Sequence, residues 1–256
     1  MARVLDVLTD NPHRCSYLAD RDAVLSHRIM VEVSAEELDD LLVRGWRRFG
    51  PDYFRPVCPT CSECVPTRVP TETFTPSKSQ RRAAKACASL ELRLGPPRFD
   101  ARRLALYRKW HAYRESSRGW DESELNERSY RLQFAFPHPA ARELVYVDPA
   151  TDELVGVGIC DQTPRAWSAV YFFYDPAWAK RSIGTANVVF QIELARSLGI
   201  PHVYLGFSVA GCPSLAYKNT FRPQETLRNW PADDEPPDWQ LAAESRDPAA
   251  AIVRDV

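Results

Sequence analysis

The chain has 256 residues, with 33 Lys and Arg against 34 Asp and Glu, a formal net charge of −1 and 45% hydrophobic residues. That balance excludes a largely disordered chain and a generally basic nucleic-acid coat, though not a local basic face. No apolar run approaches the roughly 18 residues of a membrane span, and the charged N-terminus lacks a signal peptide's apolar stretch, so the expectation is a soluble, cytoplasmic protein with no membrane partner.

In chain order, residues 1–14 carry little periodicity and are expected to be loosely held. Ser34-Ala35-Glu36-Glu37 has the form of a capping box, and Leu38, Leu41, Leu42 and Trp46 follow at helical spacing. Tyr53 to Val57 reads as extended and leads into a cysteine cluster, and Val65 to Phe74 alternates as a strand does. Thr75-Pro76-Ser77 opens a second helix. Beyond it, Leu104, Leu106, Tyr107, Trp110 and Tyr113 predict a helix with an aromatic face, and 123–136 another that Pro137 ends. From Glu143, the segments ELVYV, ELVGVGICD and WSAVYFFYDP, separated by DPATD and TPRA turns, read as an antiparallel meander. Residues 182–198 are helical, with Gly199 as the C′ residue and Pro201 blocking continuation. HVYLGFSV is a further strand, and 231–256, acidic and Pro-rich at first, reads as a tail. The order predicts an α+β (mixed α/β) fold. Glycine-rich dinucleotide and Walker patterns are absent.

Seven cysteines, an odd number without a signal peptide, argue against a disulfide framework. Cys58, Cys61 and Cys64 form CPTCSEC, three thiols on a turn at a spacing that zinc or an iron–sulfur cluster accepts. A fourth ligand is missing locally, and Cys15 is the first choice. Such a site is structural, because four thiolates close the coordination sphere; buried free thiols and a redox disulfide are the alternatives.

A second feature is the one-signed run Lys78, Arg81, Arg82, Lys85, Arg93, Arg98, Arg102, Arg103, Arg108, Lys109 and Arg114, opposed locally only by Glu91 and Asp100. It reads as a phosphate-tracking surface for RNA, with a solvated helix face as the plain alternative. A third is Arg181-Ser-Ile-Gly184-Thr-Ala186, which follows Tyr174-Asp175-Pro176 and opens a helix. A cation and a Gly there suit phosphate binding through free backbone N–H groups, and the spacing resembles the acyl-CoA pyrophosphate loop of the GNAT acyltransferases. A fourth is 204–223, where a strand runs into a Gly-Cys-Pro break and a short helix bearing Tyr217 and Lys218, a pair suited to a phosphate or the 3′ end of an RNA. The His residues at 13, 27, 111, 138 and 202 form no triad or metal spacing.

Together these residues resemble the aminoacyl-tRNA–protein transferases. The matching pieces are CSYL at 15–18, RGWRRFG at 44–50, YFRPVCPTCSECVPTRVP at 53–70, F-x-PSKSQRR at 74–82, YFFYDPAWAKRSIGT at 171–185, QIELARSLGIPHVYLGF at 191–207 and GCPSLAYKNTFRPQE at 211–225, all in family order. The resemblance implies an N-terminal cysteine-containing region over 1–75, a GNAT-like transferase domain over 76–232 and an acidic tail over 233–256. It implies transfer of an amino acid from aminoacyl-tRNA to the N-terminal Asp or Glu of acceptor proteins, creating an N-degron, and no acyl-CoA. The triple-cysteine cluster and SQRR are similar to the bacterial, leucine-transferring branch. Gly206-Phe207 and Cys212-Pro213 are closer to the eukaryotic, arginine-transferring branch, and Ser214-Leu215 replace a basic residue and Met. Both donors, Leu and Arg, stay open.

The donor is an activated ester, so no ATP is needed. The acceptor amine, with a reference pKa of about 7.7–8.0, must lose a proton and meet the carbonyl while the oxyanion is stabilised. Asp175 is expected to position or deprotonate it, with a turn-capping Asp as the alternative. Tyr171, Tyr204 and Tyr217 are expected to line the pocket or relay protons, and Phe207 to lie near the donor. The acceptor's side-chain carboxylate needs a cation, for which Arg81, Arg82 and Arg222 are candidates. Arg81 and Arg82 could equally touch tRNA phosphate, and Lys218 the acceptor end. Two other classes fit less of the chain: an acyl-CoA-dependent GNAT enzyme, and a metal-stabilised tRNA-binding protein whose pocket has decayed around Gly206–Leu215.

Overall fold

The computed structural model describes residues 1–119 and 125–243. In chain order it runs β1 (Arg3–Thr9), β2 (His13–Arg14), β3 (Asp22–Ala23), β4 (Leu25–Val31), α1 (Ala35–Val43), β5 (Arg47–Phe49), β6 (Asp52–Pro56), β7 (Cys64–Pro70), α2 (Lys78–Ala86), β8 (Glu91–Gly95), α3 (Ala101–Arg118), α4 (Glu127–Phe134), β9 (Ala141–Asp148), β10 (Glu153–Gln162), β11 (Ala166–Tyr174), α5 (Ile183–Ser197), β12 (His202–Val209), β13 (Glu225–Leu227) and β14 (Trp239–Leu241). Short 3-10 turns cover Pro176–Arg181 and Ala216–Thr220. This is an α+β fold, and none of its described helices is long and apolar enough to cross a membrane.

Local chemistry sets the helix starts. Ser34 and Ser77 each accept from the backbone N–H three residues on, and Glu37 and Gln80 return the bond, closing two capping boxes. Asn126 caps α4 in the same way, so that helix starts at Glu127; the expected start at 123 lies outside the described residues. Helix α5 ends before Gly199, whose φ of +70° is the left-handed C′ conformation.

The main sheet has eight strands in the order β14-β13-β7-β12-β11-β10-β9-β8, and the smaller one the order β1-β4-β6-β5. The expected antiparallel meander is present as β9-β10-β11 in the main sheet. Helices α3 and α4 cover it through Leu106, Tyr107, Trp110, Tyr130 and Phe134. Helices α2 and α5 pack on β7, β11 and β12 through Ala83, Val189, Ile192, Val69, Trp167 and Val203. The small sheet and α1 close on Ala166 and Tyr204 through Leu38, Leu42, Trp46 and Tyr53. The segment expected as the N-terminal region ends in β7, which sits inside the main sheet between β12 and β13.

Three expectations are corrected. Residues 1–14 are not loose: β1 pairs antiparallel with β4, and β2 with β3. Nor are residues 231–243 a free tail. Arg55 and Arg44 donate to the carbonyls of Pro231 and Ala232, Arg28 pairs with Asp233 at 2.9 Å, and Trp239 donates to Val43 O while lying under Arg68. The acidic, Pro-rich composition marks a segment without its own core, and cations of the small sheet and β7 supply its anchors. Residues 244–256 lie outside the described residues. Finally, the basic run is not one face. Carboxylates distant in sequence neutralise part of it: Glu143 takes Arg103, Asp152 takes Arg102 and Asp175 takes Lys109. The cations left facing solvent together are Lys78, Arg81, Arg82 and Lys85 of α2.

Candidate functional site

The parallel pair β11–β12 holds for only three residues: Ala166, Trp167 and Ser168 face His202, Val203 and Tyr204. Beyond them β11 continues to Tyr174 against β10, and β12 continues to Val209 against β7. The two strands part, and their inner edges carry backbone groups that the ladder no longer satisfies. A register shift between Tyr204 and Gly206 accompanies the parting.

Two cations enter this cleft. Side chains alternate along β11, so Trp167 turns toward α5, donating to Gln191 Oε1 at 2.8 Å, and Ser168 turns the other way. There Arg47 donates to Ser168 Oγ at 3.0 Å and to Ala169 O, on the freed edge, at 2.7 Å. Its guanidinium lies over Gly206, 3.5 Å from where a Cβ would stand, and Gly206 has a φ of +80° that an L side chain rarely adopts. From the opposite side Lys218 Nζ donates to Phe207 O at 3.0 Å. The turn bearing Lys218 is fastened by Ser208 Oγ donating to Asn219 Oδ1 at 2.7 Å and by Gln80 Nε2 donating to Thr220 O.

Neither cation makes a salt bridge with a carboxylate among the described residues. Arg47 feels Asp161, but Arg48 already holds that carboxylate. Desolvation accordingly pulls Arg47 down to about 10. Lys218, desolvated and beside Arg47, falls to about 7. Around them Phe207, Val209 and Cys212 form an apolar cluster with Leu18, Phe54, Cys64, Leu215 and Trp230.

The sequence-predicted residues divide into groups. Phe207 and Lys218 meet in the cleft. Tyr171 and Tyr217 both lie near Arg114, and burial raises both phenols. Tyr217 packs edge-on to Phe221. Tyr204 stands apart, in the paired part of β12, where Arg68 donates to its hydroxyl at 3.0 Å and Trp239 packs edge-on. Asp175 caps the turn after β11 through Ala177 N–H and pairs with Lys109 at 2.7 Å. Burial works to raise its carboxyl, and the Lys109 and Ala177 hydrogen bonds outweigh that, leaving it low. A carboxylate so held is a capping group and a weak base. Arg181 lies over Trp178, and Gly184 faces open space at the start of α5, which has no side-chain cap. Arg81 donates to Pro76 O and Arg82 is exposed. Arg222 donates to the carbonyls of Asn219 and Ala242. None of these three arginines reaches the oxygens that Arg47 and Lys218 hold in the cleft.

The cysteines converge on the same end. Burial, and the neighbouring Cys15, Cys58, Cys61 and Cys212, push the Cys64 thiol up to about 12. Backbone N–H groups of Tyr17 and Val24 donate to Cys15 Sγ and Cys58 Sγ, both at 3.4 Å. Yet among the described residues no three His, Cys, Asp or Glu side chains gather closely enough to hold a metal ion. The thiols as placed share a neighbourhood without sharing a centre, and no chemical step is routed through a metal.

Sequence reasoning missed Arg47. The available signal was its place in a short extended run after the buried Trp46, with Arg48 beside it. Neighbours on a strand face opposite ways, so of two adjacent arginines next to a core Trp one must be buried and paired, and the other points across. Arg48 bonds to Gly50 O and Asp161, and Arg47 to the cleft.

Comparison with known proteins agrees with this architecture. Residues 13–82 match the family described as "Arginine-tRNA-protein transferase, N terminus" and residues 102–228 its "C terminus". Proteins named aspartate/glutamate leucyltransferase are similar over most of their length. That of Chromohalobacter salexigens is 37% identical over 86% of this chain and 89% of its own. That of Helicobacter hepaticus is 30% identical over 89% and 94%, and that of Chromobacterium violaceum 36% over 84% and 88%. Among solved structures, L-PGS from Bacillus licheniformis aligns at a TM-score of 0.42 with 14% identity over 80% of this chain and 63% of that one, too loosely to add to the assignment. The two matched segments, in order and together covering most of the chain, make this chain a member of the arginine-tRNA–protein transferase family.

Proposed function

We propose that this enzyme transfers leucine from its tRNA ester to the N-terminal amine of proteins beginning with Asp or Glu, and that the reaction runs in the cleft between β11 and β12. The observation that carries the reading is the likeness, at 30–37% identity over most of both chains, to proteins named aspartate/glutamate leucyltransferase. The cleft lining supports leucine over arginine. Phe207, Val209, Leu18 and Leu215 suit a branched apolar side chain.

The reaction forms a bond between the acceptor nitrogen and the leucyl carbonyl carbon and breaks the ester C–O bond. The acceptor ammonium loses two protons, one to the tRNA 3′-terminal oxygen as it leaves and one to solvent, and keeps the third as the N–H of the new amide. Freed backbone N–H groups along the parted edges are the donors placed to meet an oxyanion. The exposed cations of α2 are the surface for tRNA phosphates, and the cytoplasm is the compartment. A zinc ion or iron–sulfur cluster at Cys15, Cys58, Cys61 and Cys64 stays a separate structural proposal. It requires the thiols to draw together, and metal analysis of the purified protein beside Cys58→Ser checks it.

The test is a transfer assay with Leu-tRNA and Arg-tRNA and with peptides beginning Asp, Glu or Ala. Transfer of leucine to Asp and Glu but not Ala is the expected result. Transfer of arginine alone overturns the donor assignment. Binding of tRNA with no transfer from either overturns the enzymatic reading.

A further inference from the structure

The charge balance inside the cleft calls for an anion. Arg47 reaches in from β5 and Lys218 from the turn after β12, and their hydrogen bonds go only to neutral oxygens, those of Ser168, Ala169 and Phe207. The charged or titratable groups that act on Lys218 are Arg47, Cys212 and Cys64; on Arg47 they are Asp161 and Tyr17. Of these only Asp161 is a carboxylate, and Arg48 binds it directly with its own side chain 7% exposed and that of Asp161 1% exposed. Among the described residues, these two half-buried cations therefore have no carboxylate paired with them, an arrangement that a bound anion would relieve. Elsewhere the protein does pair its buried cations: Arg103 with Glu143, Arg48 with Asp161, Arg68 with Glu225.

We propose that Arg47 and Lys218 form the subsite that reads the side-chain carboxylate of the acceptor's N-terminal Asp or Glu. This rests on the transferase reading above and deepens it. The planar guanidinium of Arg47 has donors left over beyond those on Ser168 and Ala169, and Lys218 has two ammonium protons beyond the one on Phe207 O. A carboxylate between them is held by one cation resting on β11 and another resting on β12, which places the adjacent α-amine at the parted edges. It also supplies the carboxylate that neither cation finds among the described residues. Gly206 suits this place because its φ of +80° is one that an L side chain rarely adopts. Arg81, Arg82 and Arg222, the arginines that sequence reasoning put forward, are solvent-facing or engaged with other carbonyls.

The experiment compares kcat/KM for two peptides that differ only in the first residue, Asp or Asn, at saturating Leu-tRNA. Wild type is measured against Lys218→Met, Lys218→Arg and Arg47→Gln, with Kd for Leu-tRNA measured alongside and folding checked by thermal melting. The expected result is an Asp/Asn preference that falls at least about tenfold in Lys218→Met and Arg47→Gln, through KM of the Asp peptide, and is largely kept in Lys218→Arg. Leu-tRNA affinity is expected to stay within about twofold. An unchanged Asp/Asn ratio with weakened Leu-tRNA binding overturns the proposal and assigns the cations to tRNA phosphate. An equal loss on both peptides overturns it in favour of a structural role. Wild-type protein that transfers to neither Asp nor Glu peptides overturns the underlying transferase reading, and that failure is visible before any variant is compared.

Discussion

Replacing Arg48 by Met tests whether a buried ion pair sets the strand that aims Arg47. Arg48 and Asp161 have side chains only 7% and 1% exposed. Deleting the cation leaves a carboxylate with almost no access to water, a change that costs about 3–5 kcal/mol. The pair itself is incompletely satisfied: among the described residues, Arg48 Nε and Asp161 Oδ2 have no hydrogen-bond partner. Replacing both members by apolar residues should therefore cost far less than replacing one. In urea unfolding with m of about 3 kcal/mol/M, Arg48→Met lowers the midpoint by about 1–1.7 M, and Arg48→Met with Asp161→Leu recovers at least half of that. A single-variant shift below about 0.3 M, or a double variant as unstable as the worse single one, would refute the reasoning. Either result would mean that Asp161 keeps access to water or a proton. The same single variant is expected to lower transfer to Asp peptides, because β5 carries Arg47 on its opposite face.

Two further outcomes follow from charges elsewhere. His27 sits between Asp52, at 2.8 Å, and Asp10, at 3.2 Å. Burial works to lower its pKa, and the two carboxylates outweigh that and raise it. A raised folded value means that folding takes up a proton, so the stabilisation is complete below about pH 6.5 and is lost as pH climbs through the folded value. The stability gap between the native protein and His27→Gln, followed by urea unfolding across pH, should narrow toward alkaline pH; a gap that widens rules out the charged pair. Replacing Lys78, Arg81, Arg82 and Lys85 of α2 together by Gln should weaken Leu-tRNA binding. It should also flatten the slope of log K against log salt by roughly 0.7–0.9 for each phosphate that the helix no longer neutralises. An unchanged slope would move the tRNA surface off α2.

Much of the fold was legible because its signals are local. Both capping boxes, at Ser34 and Ser77, bond as their spacing predicts, and the meander from Ala141 to Tyr174 follows its turn residues. The helix before Gly199 and the strand His202–Val209 fall where punctuation placed them. The site was legible in part. Phe207 and Lys218 share one cleft, and the cysteines share one end, whereas Asp175 is a turn cap and Arg222 serves carbonyls. The error over residues 1–14 and 231–243 has one cause. Segments without internal periodicity look loose until a partner strand or a cation from another part of the chain holds them.

By itself, the sequence determined the elements, their order and the family, because caps, turns and ordered motifs act over a few residues. Only the tertiary structure decided which cations are paired. The basic run looked like one surface until Glu143, Asp152 and Asp175 arrived from other elements to neutralise part of it. Arg47 was not singled out by the sequence, and only the parting of β11 and β12 left Ala169 O for it to cover, with no carboxylate paired to it among the described residues. Charge acts through space and burial sets its strength, and neither separation nor burial is written in the order of the residues.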